Sequence, residues 1–210
     1  YFQIVKCFRD EDLRADRQPE FTQIDVEMSF VDEKEVMEIA EGLMKLFFRE
    51  IKGTEITLPL PCLTYKEAME QYGSDKPDLR FGLKIMAVSD VVKDCGFRVF
   101  SDTVKKGGVV AGFIAPGCAS YTRNQLDGLT EFAKSQGAGG LVWMRVTEAG
   151  VETPTEKFLG KPLLESIRET MKANTGDLIL LISDQWSKAY TLLGALRLEM
   201  ARRLNLIDAE

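Results

Sequence analysis

The 210-residue sequence contains no histidine. This absence excludes Ser-His-Asp and Cys-His nucleophiles, histidine-ligated metal ions and histidine acid–base catalysis. Any chemistry of this chain must therefore depend on arginine, lysine, carboxylate and backbone groups.

Cysteine is scarce, and long apolar runs are absent. The four cysteines, Cys7, Cys62, Cys95 and Cys118, have no CxxC spacing, so we expect reduced cytoplasmic thiols and neither a disulfide framework nor a zinc site. No apolar run approaches the roughly 20 residues that span a bilayer, so no membrane association is expected. The chain opens on the strand-like residues 1–4 without a charged leader. We therefore expect no secretory signal and a start inside a fold.

Basic residues are outnumbered by acidic ones, 27 to 33, and the net charge is −6. This balance argues against a generally basic nucleic-acid binder, although a few arginines or lysines in one loop can still contact phosphates. The hydrophobic fraction of 45% and charged fraction of 29% are ordinary for a soluble protein. The length suits one or two domains.

The first thirty residues predict a β-hairpin with a highly charged loop, formed by segments 2–8 and 21–30. The second segment alternates between an apolar face and a polar face headed by an aromatic ring: Ile24, Val26, Met28 and Phe30, against Phe21, Gln23, Asp25 and Glu27. We expect the apolar face to belong to a core. A polar row headed by a ring is unusual for a strand that only contacts solvent.

Helix signals and a turn-rich segment follow the hairpin. Asp32-x-x-Glu35 predicts the start of a helix, and Gly53 predicts its end. Thr64-x-x-Glu67 predicts the start of a second, shorter helix. Residues 73–80 are dense in turn formers. Their polarity invites a catalytic interpretation, but their position favours a hinge. We place a domain boundary here, between residues 78 and 79.

Helices and strands alternate from residue 79 to the end. We expect helices near 89–94, 122–135, 162–173 and 186–204, and strands near 97–101, 109–115, 141–146 and 177–183. This pattern predicts a compact α+β domain, in which helices flank a mixed sheet of about four strands.

The charged loop of the hairpin has two interpretations. It can be a solvated, self-neutralising tip, because charged loops are common. The order of residues supports a binding site instead, since Arg9 at a strand end can hold a phosphate bidentately and Glu11 can accept hydrogen bonds from amino groups. Phe21 can stack on a purine, with Gln23 and Asp25 on the same side. Such a face suits a nucleotide and an ammonium-bearing ligand.

The residues of this hairpin carry a family resemblance. Phe8-Arg9-x-Glu11 is similar to the second signature motif of class II aminoacyl-tRNA synthetases, whose active site lies on an antiparallel sheet. The longer string from Arg9 to Asp25, RDEDLRADRQPEFTQID, resembles the bacterial-type aspartyl-tRNA synthetases specifically. The resemblance continues through Gly73-Ser74-Asp75-Lys76-Pro77-Asp78-Leu79-Arg80.

The family resemblance also includes Gly194-Ala195-Leu196-Arg197. Residues 79–210 resemble the GAD-type insertion domain that these enzymes share with tRNA-dependent amidotransferases. The resemblance thus covers essentially the whole chain, and assigns residues 1–78 to part of the catalytic core.

The resemblance implies an aspartate–tRNA ligase, in which L-aspartate reacts with ATP to give aspartyl-adenylate and the aspartyl group passes to tRNA(Asp). It implies that Arg9 is the catalytic residue, since it stabilises developing negative charge on the α-phosphate. The implied ATP-binding residues are Arg9, Asp10, Glu11, Gln18 and Phe21. The implied aspartate-binding residues are Arg9, Gln23 and Asp25. The implied contacts with the tRNA acceptor end are Arg14 and Arg17.

Several features of that family have no counterpart in this sequence: the anticodon-binding barrel, the first motif that builds the dimer, the third motif with another ATP-binding arginine, and the acidic magnesium ligands. We expect ATP with Mg²⁺ as cofactor, with the magnesium ligands outside these 210 residues and no metal site within them. The parent enzyme is expected to be a cytoplasmic homodimer. The chain alone is expected to be inactive, because it holds one wall of an active site.

The sequence leaves two other functions open. A non-catalytic tRNA-facing or interaction module, like the related amidotransferase domain, would have no use for Arg9-x-Glu11 and Asp25, although it describes how the isolated chain would behave. A nucleotide-binding hairpin protein without synthetase activity would have no use for the insertion domain.

Overall fold

The computed structural model describes residues 1–12 and 17–207. Packing divides the chain into two compact units, Tyr1–Cys62 and Leu63–Glu210. The division precedes the expected boundary at residue 78, because the helix after Leu63 packs on the last helix of the chain. No helix in the described ranges is long and apolar enough to cross a membrane.

The first unit begins with the expected hairpin. Strands β1 (Phe2–Phe8) and β2 (Glu20–Val26) pair antiparallel, with Phe2 opposite Val26 and Phe8 opposite Glu20. The second strand ends at Val26 and does not reach Phe30 as expected. The partner strand β1 begins at Phe2, opposite Val26, so the residues after Val26 have few residues of β1 to pair with.

The two faces of the hairpin differ in burial. The half-buried face carries Gln3, Val5 and Cys7 of β1 with Phe21, Gln23 and Asp25 of β2, and the exposed face carries Phe2, Ile4 and Phe8 with Ile24 and Val26. Phe2 is 73% exposed. No described residue of this unit is buried, so the expectation that the apolar face belongs to a core is not met within it.

Helix α1 (Glu33–Phe47) follows the hairpin, and its start and end confirm the sequence signals. The Asp32 side chain accepts hydrogen bonds from the backbone of the first turn, and the Glu35 side chain accepts one from Asp32 N. A π-helical turn, Phe48–Lys52, extends the helix to Gly53, whose φ of 64° ends it.

The second unit contains seven α-helices, one short 3-10 helix (Cys118–Ser120) and five strands within its described residues. The helices are α2 (Tyr65–Tyr72), α3 (Ser89–Val92), α4 (Arg98–Lys105), α5 (Arg123–Ser135), α6 (Glu156–Leu159), α7 (Lys161–Met171) and α8 (Trp186–Arg203). The strands are β3 (Met86–Ala87), β4 (Val109–Ala115), β5 (Val142–Thr147), β6 (Gly150–Glu152) and β7 (Leu178–Asp184).

These strands form one sheet in the order β3-β4-β7-β5-β6, and every pairing is antiparallel. The sheet has five strands where about four were expected, and the expected mixture of strand directions is wrong because every pairing is antiparallel. The edge strands β3 and β6 have two and three residues, which is too short to show alternation in a sequence.

The expected strand at 97–101 is also wrong, because most of it is the first turn of α4. Phe100 is fully buried, and Val104, one turn later, packs against the same cluster. Residues four apart meet one side of a helix, so tertiary packing overrides the β-propensity of Phe97, Val99 and Phe100.

The sheet is covered on both faces. Along β7, Leu178, Leu180 and Ile182 pack into one cluster with residues of α5 and α8, whereas Ile179 and Leu181 pack into another with residues of α4 and α7. A strand buried on both faces has a continuous apolar sequence, which is why β4 and β7 were correctly predicted. The resulting order of layers is helix, sheet and helix.

Candidate functional site

The hairpin brings five of the predicted site residues around one cavity. The backbone N–H of Arg9 donates to the Pro19 carbonyl at 2.9 Å, which extends the pairing one residue beyond Phe8. Arg9 therefore continues the half-buried face of β1. The cavity has a volume of about 400 Å³ and is lined by Arg9, Glu11, Arg17, Gln18 and Phe21.

The charges of this cavity favour an anionic ligand. Arg9 Nη1 lies 3.8 Å from Glu11 Oε1, and Arg17 Nη1 lies 3.5 Å from Glu11 Oε2. Two guanidinium groups thus share one carboxylate. The Arg9 and Arg17 side chains remain 58% and 50% exposed, so these ion pairs are weak. An incoming phosphate can replace them with bidentate hydrogen bonds.

An aromatic ring forms another wall of the cavity. The Arg9 guanidinium carbon lies 5.1 Å from the centroid of the Phe21 ring, within the range of a cation–π contact. The same ring belongs to the half-buried face of β2. A flat base that stacks on Phe21 would therefore place its attached phosphate beside Arg9.

Polar side chains continue along the face beyond the cavity. Gln3 Nε2 donates to Asp25 Oδ2 at 2.9 Å, and Cys7 Sγ lies 3.9 Å from Gln23 Oε1. Asp25 Oδ1 accepts no hydrogen bond from any residue within 1–12 and 17–207. The amide of Gln3 thus fixes the carboxylate and leaves one oxygen for a ligand cation.

The predicted site residues divide into four groups. Arg9, Glu11, Gln18 and Phe21, implied to bind ATP, line the cavity together with Arg17, implied to contact tRNA. Gln23 and Asp25 lie on the same face of the hairpin but outside the lining, and Asp10 is exposed and also outside it. Arg14 lies outside the described residues.

Sequence reasoning missed Gln3, the partner of Asp25. Its signal was available, because the alternation of segment 2–8 puts Gln3 on the polar face and the register places it directly opposite Asp25. The described ranges contain no group of three His, Cys, Asp or Glu side chains that could hold a metal ion.

Comparison with known proteins points to one family of enzymes. The family model of class II tRNA synthetases (D, K and N) matches residues 1–191. The aspartate–tRNA(Asp/Asn) ligase of Moorella thermoacetica is 57% identical over 210 residues, which is 100% of this chain and 35% of that protein.

Other relatives agree with this match. The aspartate–tRNA ligase of Clostridium perfringens is 54% identical over 207 residues, 99% of this chain and 35% of that protein. The aspartate–tRNA ligase of Staphylococcus carnosus is 51% identical over 209 residues, which is 99% of this chain and 36% of that protein. The chain therefore spans about a third of the length of these curated relatives.

Proposed function

The chain belongs to the class II tRNA synthetases (D, K and N), and from this membership we propose that it supplies part of the active site of an aspartate–tRNA ligase. The proposed reaction activates L-aspartate with ATP, releases pyrophosphate and transfers the aspartyl group to tRNA(Asp). The observation that carries the proposal is the hairpin cavity, in which Arg9, Glu11 and Phe21 converge.

In this proposal the hairpin binds ATP. The adenine ring stacks on Phe21, Glu11 accepts hydrogen bonds from the adenine amino group, and Gln18 lies beside them. Arg9 then faces the α-phosphate, where its guanidinium stabilises the negative charge that develops as the aspartyl carboxylate attacks. This electrostatic role requires no proton transfer, which agrees with a sequence without histidine.

The aspartate binds farther along the same face. Asp25 receives the α-ammonium group of the substrate through the oxygen that Gln3 leaves unoccupied, and Gln23 lies between this point and Phe21. The amide of Gln3 thereby acts as a positioning residue for Asp25. The magnesium ion that accompanies ATP would be held by residues of the longer enzyme beyond this chain.

The remaining assignments rest on the same membership. We assign residues 1–78 to the catalytic core and 79–210 to a GAD-type insertion domain, and we place Arg14 and Arg17 near the acceptor end of tRNA. The parent enzyme is proposed to be a cytoplasmic homodimer. Parts of it beyond this chain would supply the other wall of the active site and the cover over the exposed face of Phe2, Ile4 and Phe8.

A second function, a non-catalytic tRNA-facing or interaction module, is favoured by one observation. Both buried clusters lie within residues 63–210, so this unit has a core of its own. In isolation the chain would then act as a docking module, whereas the hairpin contributes to catalysis only in the longer enzyme.

Titration of the chain with ATP and with a non-hydrolysable analogue of aspartyl-adenylate tests the proposed site. We expect the analogue to bind more tightly, because it occupies both the Phe21 and the Asp25 ends of the face. Arg9→Gln should weaken binding about tenfold or more, the scale of a lost charge-assisted hydrogen bond.

Lys6→Gln is the matched control, because Lys6 belongs to the same hairpin but points to the opposite face, where it pairs with Glu20. This variant should change the affinity less than twofold, a small electrostatic effect. Equal losses in both variants, or no binding of either ligand, would count against the site. Aminoacylation of tRNA by the chain alone would contradict the view that it holds one wall of an active site.

A further inference from the structure

Arg197 on α8 is a buried cation that holds a distant segment of the chain. Its side chain is 1% exposed. Nε donates to the carbonyls of Gly82 and Leu83, both at 3.2 Å, and Nη2 donates to those of Asp78, Phe81 and Gly82 at 2.8, 3.0 and 2.9 Å. The guanidinium is thus bound to the backbone of the segment that leads from the 73–80 turn to β3.

The charge of this group is only partly compensated. Its carbon lies 4.0 Å from the Phe81 ring centroid and 5.0 Å from that of Tyr72, and both rings attract a cation. Within residues 1–12 and 17–207, however, Arg197 forms no ion pair and Nη1 donates no hydrogen bond. The Asp78 carboxylate attracts this cation without forming an ion pair with it, so Nη1 can still bind a further acceptor.

A cavity of about 290 Å³ lies beside Arg197. It is lined by Tyr72, Gly73, Ser74, Lys76, Pro77, Asp78, Gly194, Ala195, Arg197 and Leu198. Its volume far exceeds the roughly 30 Å³ that one water molecule occupies. Lys76 is exposed, so the cavity opens to solvent on that side.

Two more donors without acceptors line this cavity. The Ser74 hydroxyl oxygen accepts a hydrogen bond from Lys76 N at 3.0 Å, but its own proton has no acceptor in the described part of the chain. The Lys76 ammonium group has no ion-pair partner there either. Two cationic residues and a serine therefore border one space.

The single carboxylate of the lining does not satisfy these donors. Both oxygens of Asp78 are bound by Arg80, with Nε 3.0 Å from Oδ1 and Nη2 2.8 Å from Oδ2. This pairing lowers the pKa of Asp78. The carboxylate thus stays charged and already engaged, and the cavity keeps an excess of donors.

We propose that this cavity is a binding site for a phosphate group, held by Arg197 Nη1, the Lys76 ammonium and the Ser74 hydroxyl. A phosphate presents several oxygens to several donors at once, and its charge matches a pair of cations. The site lies entirely within residues 63–210 and does not depend on the hairpin cavity. The phosphate comes from one of two sources with the same chemistry, inorganic phosphate in solution or the phosphodiester backbone of RNA.

Calorimetric titration of the chain with inorganic phosphate, and separately with a short single-stranded RNA, tests this proposal. We expect binding with a dissociation constant of about 1 mM or lower in at least one of the two titrations. Lys76→Gln should weaken it about tenfold, the effect of one charge-assisted hydrogen bond.

The controls separate this cavity from the hairpin cavity. Lys66→Gln removes an exposed lysine on nearby α2 whose contact is with Glu70. It should leave phosphate binding within twofold, since Lys66 does not line this cavity. Arg9→Gln should remove only the binding that the hairpin cavity contributes, and the loss caused by Lys76→Gln should be the same in its presence. Failure of the proposed ATP site and failure of this one therefore remain distinguishable.

The two titrations also identify the source. Binding of RNA that depends on Lys76, without binding of inorganic phosphate, assigns the group to an RNA backbone. Binding of inorganic phosphate that depends on Lys76 assigns it to the free anion. No binding in either titration, or equal losses in Lys76→Gln and Lys66→Gln, would show that the cavity holds only water and would overturn the proposal.

Discussion

Two glycines in the middle of helices show how differently one residue type can be used. A Cβ atom on Gly194 in α8 would lie 2.4 Å from the carbonyl oxygen of Gly73. A Cβ atom on Gly128 in α5 would meet nothing within 4 Å. Gly194 therefore allows the backbones of α8 and the end of α2 to touch, whereas Gly128 has no such role.

Gly194→Ala should lower the free energy of unfolding by about 1–3 kcal/mol, the cost of forcing extra volume into a packed contact. Gly128→Ala, the matched control, should raise it by about 0.5–1 kcal/mol, because alanine is the better helix former. Urea unfolding followed by circular dichroism measures both. A neutral or stabilising Gly194→Ala would mean that the close approach of the two backbones is not required.

At the scale of the element, the start of α5 is fixed by a reciprocal cap. The backbone N–H of Thr122 donates to Gln125 Oε1 at 2.8 Å, while Thr122 Oγ1 accepts from Gln125 N at 3.4 Å. Both residues are exposed, so the cap stabilises the helix through hydrogen bonds and not through burial.

Thr122→Ala should destabilise the second unit by about 1 kcal/mol, the usual cost of losing an N-cap side chain. Thr170→Ala is the control, because its hydroxyl donates to the Ser166 carbonyl inside α7 and caps nothing. We expect that change to be within about 0.5 kcal/mol of neutral. Thermal unfolding of the two variants distinguishes them, and equal shifts in Tm would argue against the cap.

Prediction of the elements succeeded where the signal was local. The caps at Asp32 and Thr64 follow directly from Asp/Thr-x-x-Glu spacing, and both are present. The assignment of residues 97–101 failed because Phe97, Val99 and Phe100 favour a strand by themselves. The helical state is set by tertiary packing, because Phe100 and Val104 contact the same buried cluster from one side of α4.

At the scale of the whole molecule, the two units differ in their capacity to fold alone. The described residues of Tyr1–Cys62 include none that is buried. Leu63–Glu210 contains both buried clusters, one on each face of the sheet. A unit without a core cannot offset the entropy that its chain loses on folding.

We therefore expect a chain of residues 63–210 to unfold cooperatively in urea and to show slow amide exchange in β4 and β7. Residues 1–62 alone should show neither property, since hairpins are marginally stable without packing. Hydrogen exchange on the whole chain provides the check within one molecule. Protection of β1 and β2 as strong as that of β4 and β7 would contradict this difference.

The sequence by itself determined the hairpin, its charged site and the long elements of the second unit, since alternation, capping residues and apolar runs act over a few neighbouring residues. Phe21, Gln23 and Asp25 share a face for that reason alone. The tertiary structure decided the rest. It set the antiparallel order of five strands and the helical state of residues 98–105.

The tertiary structure also decided the environment of Arg197. Its Nε donates a hydrogen bond to the carbonyl of Gly82, which lies 115 positions away in the chain. No local pattern marks such a contact, because it exists only after α8 has packed beside the segment that precedes β3. The cavity beside Arg197 is a product of the same packing.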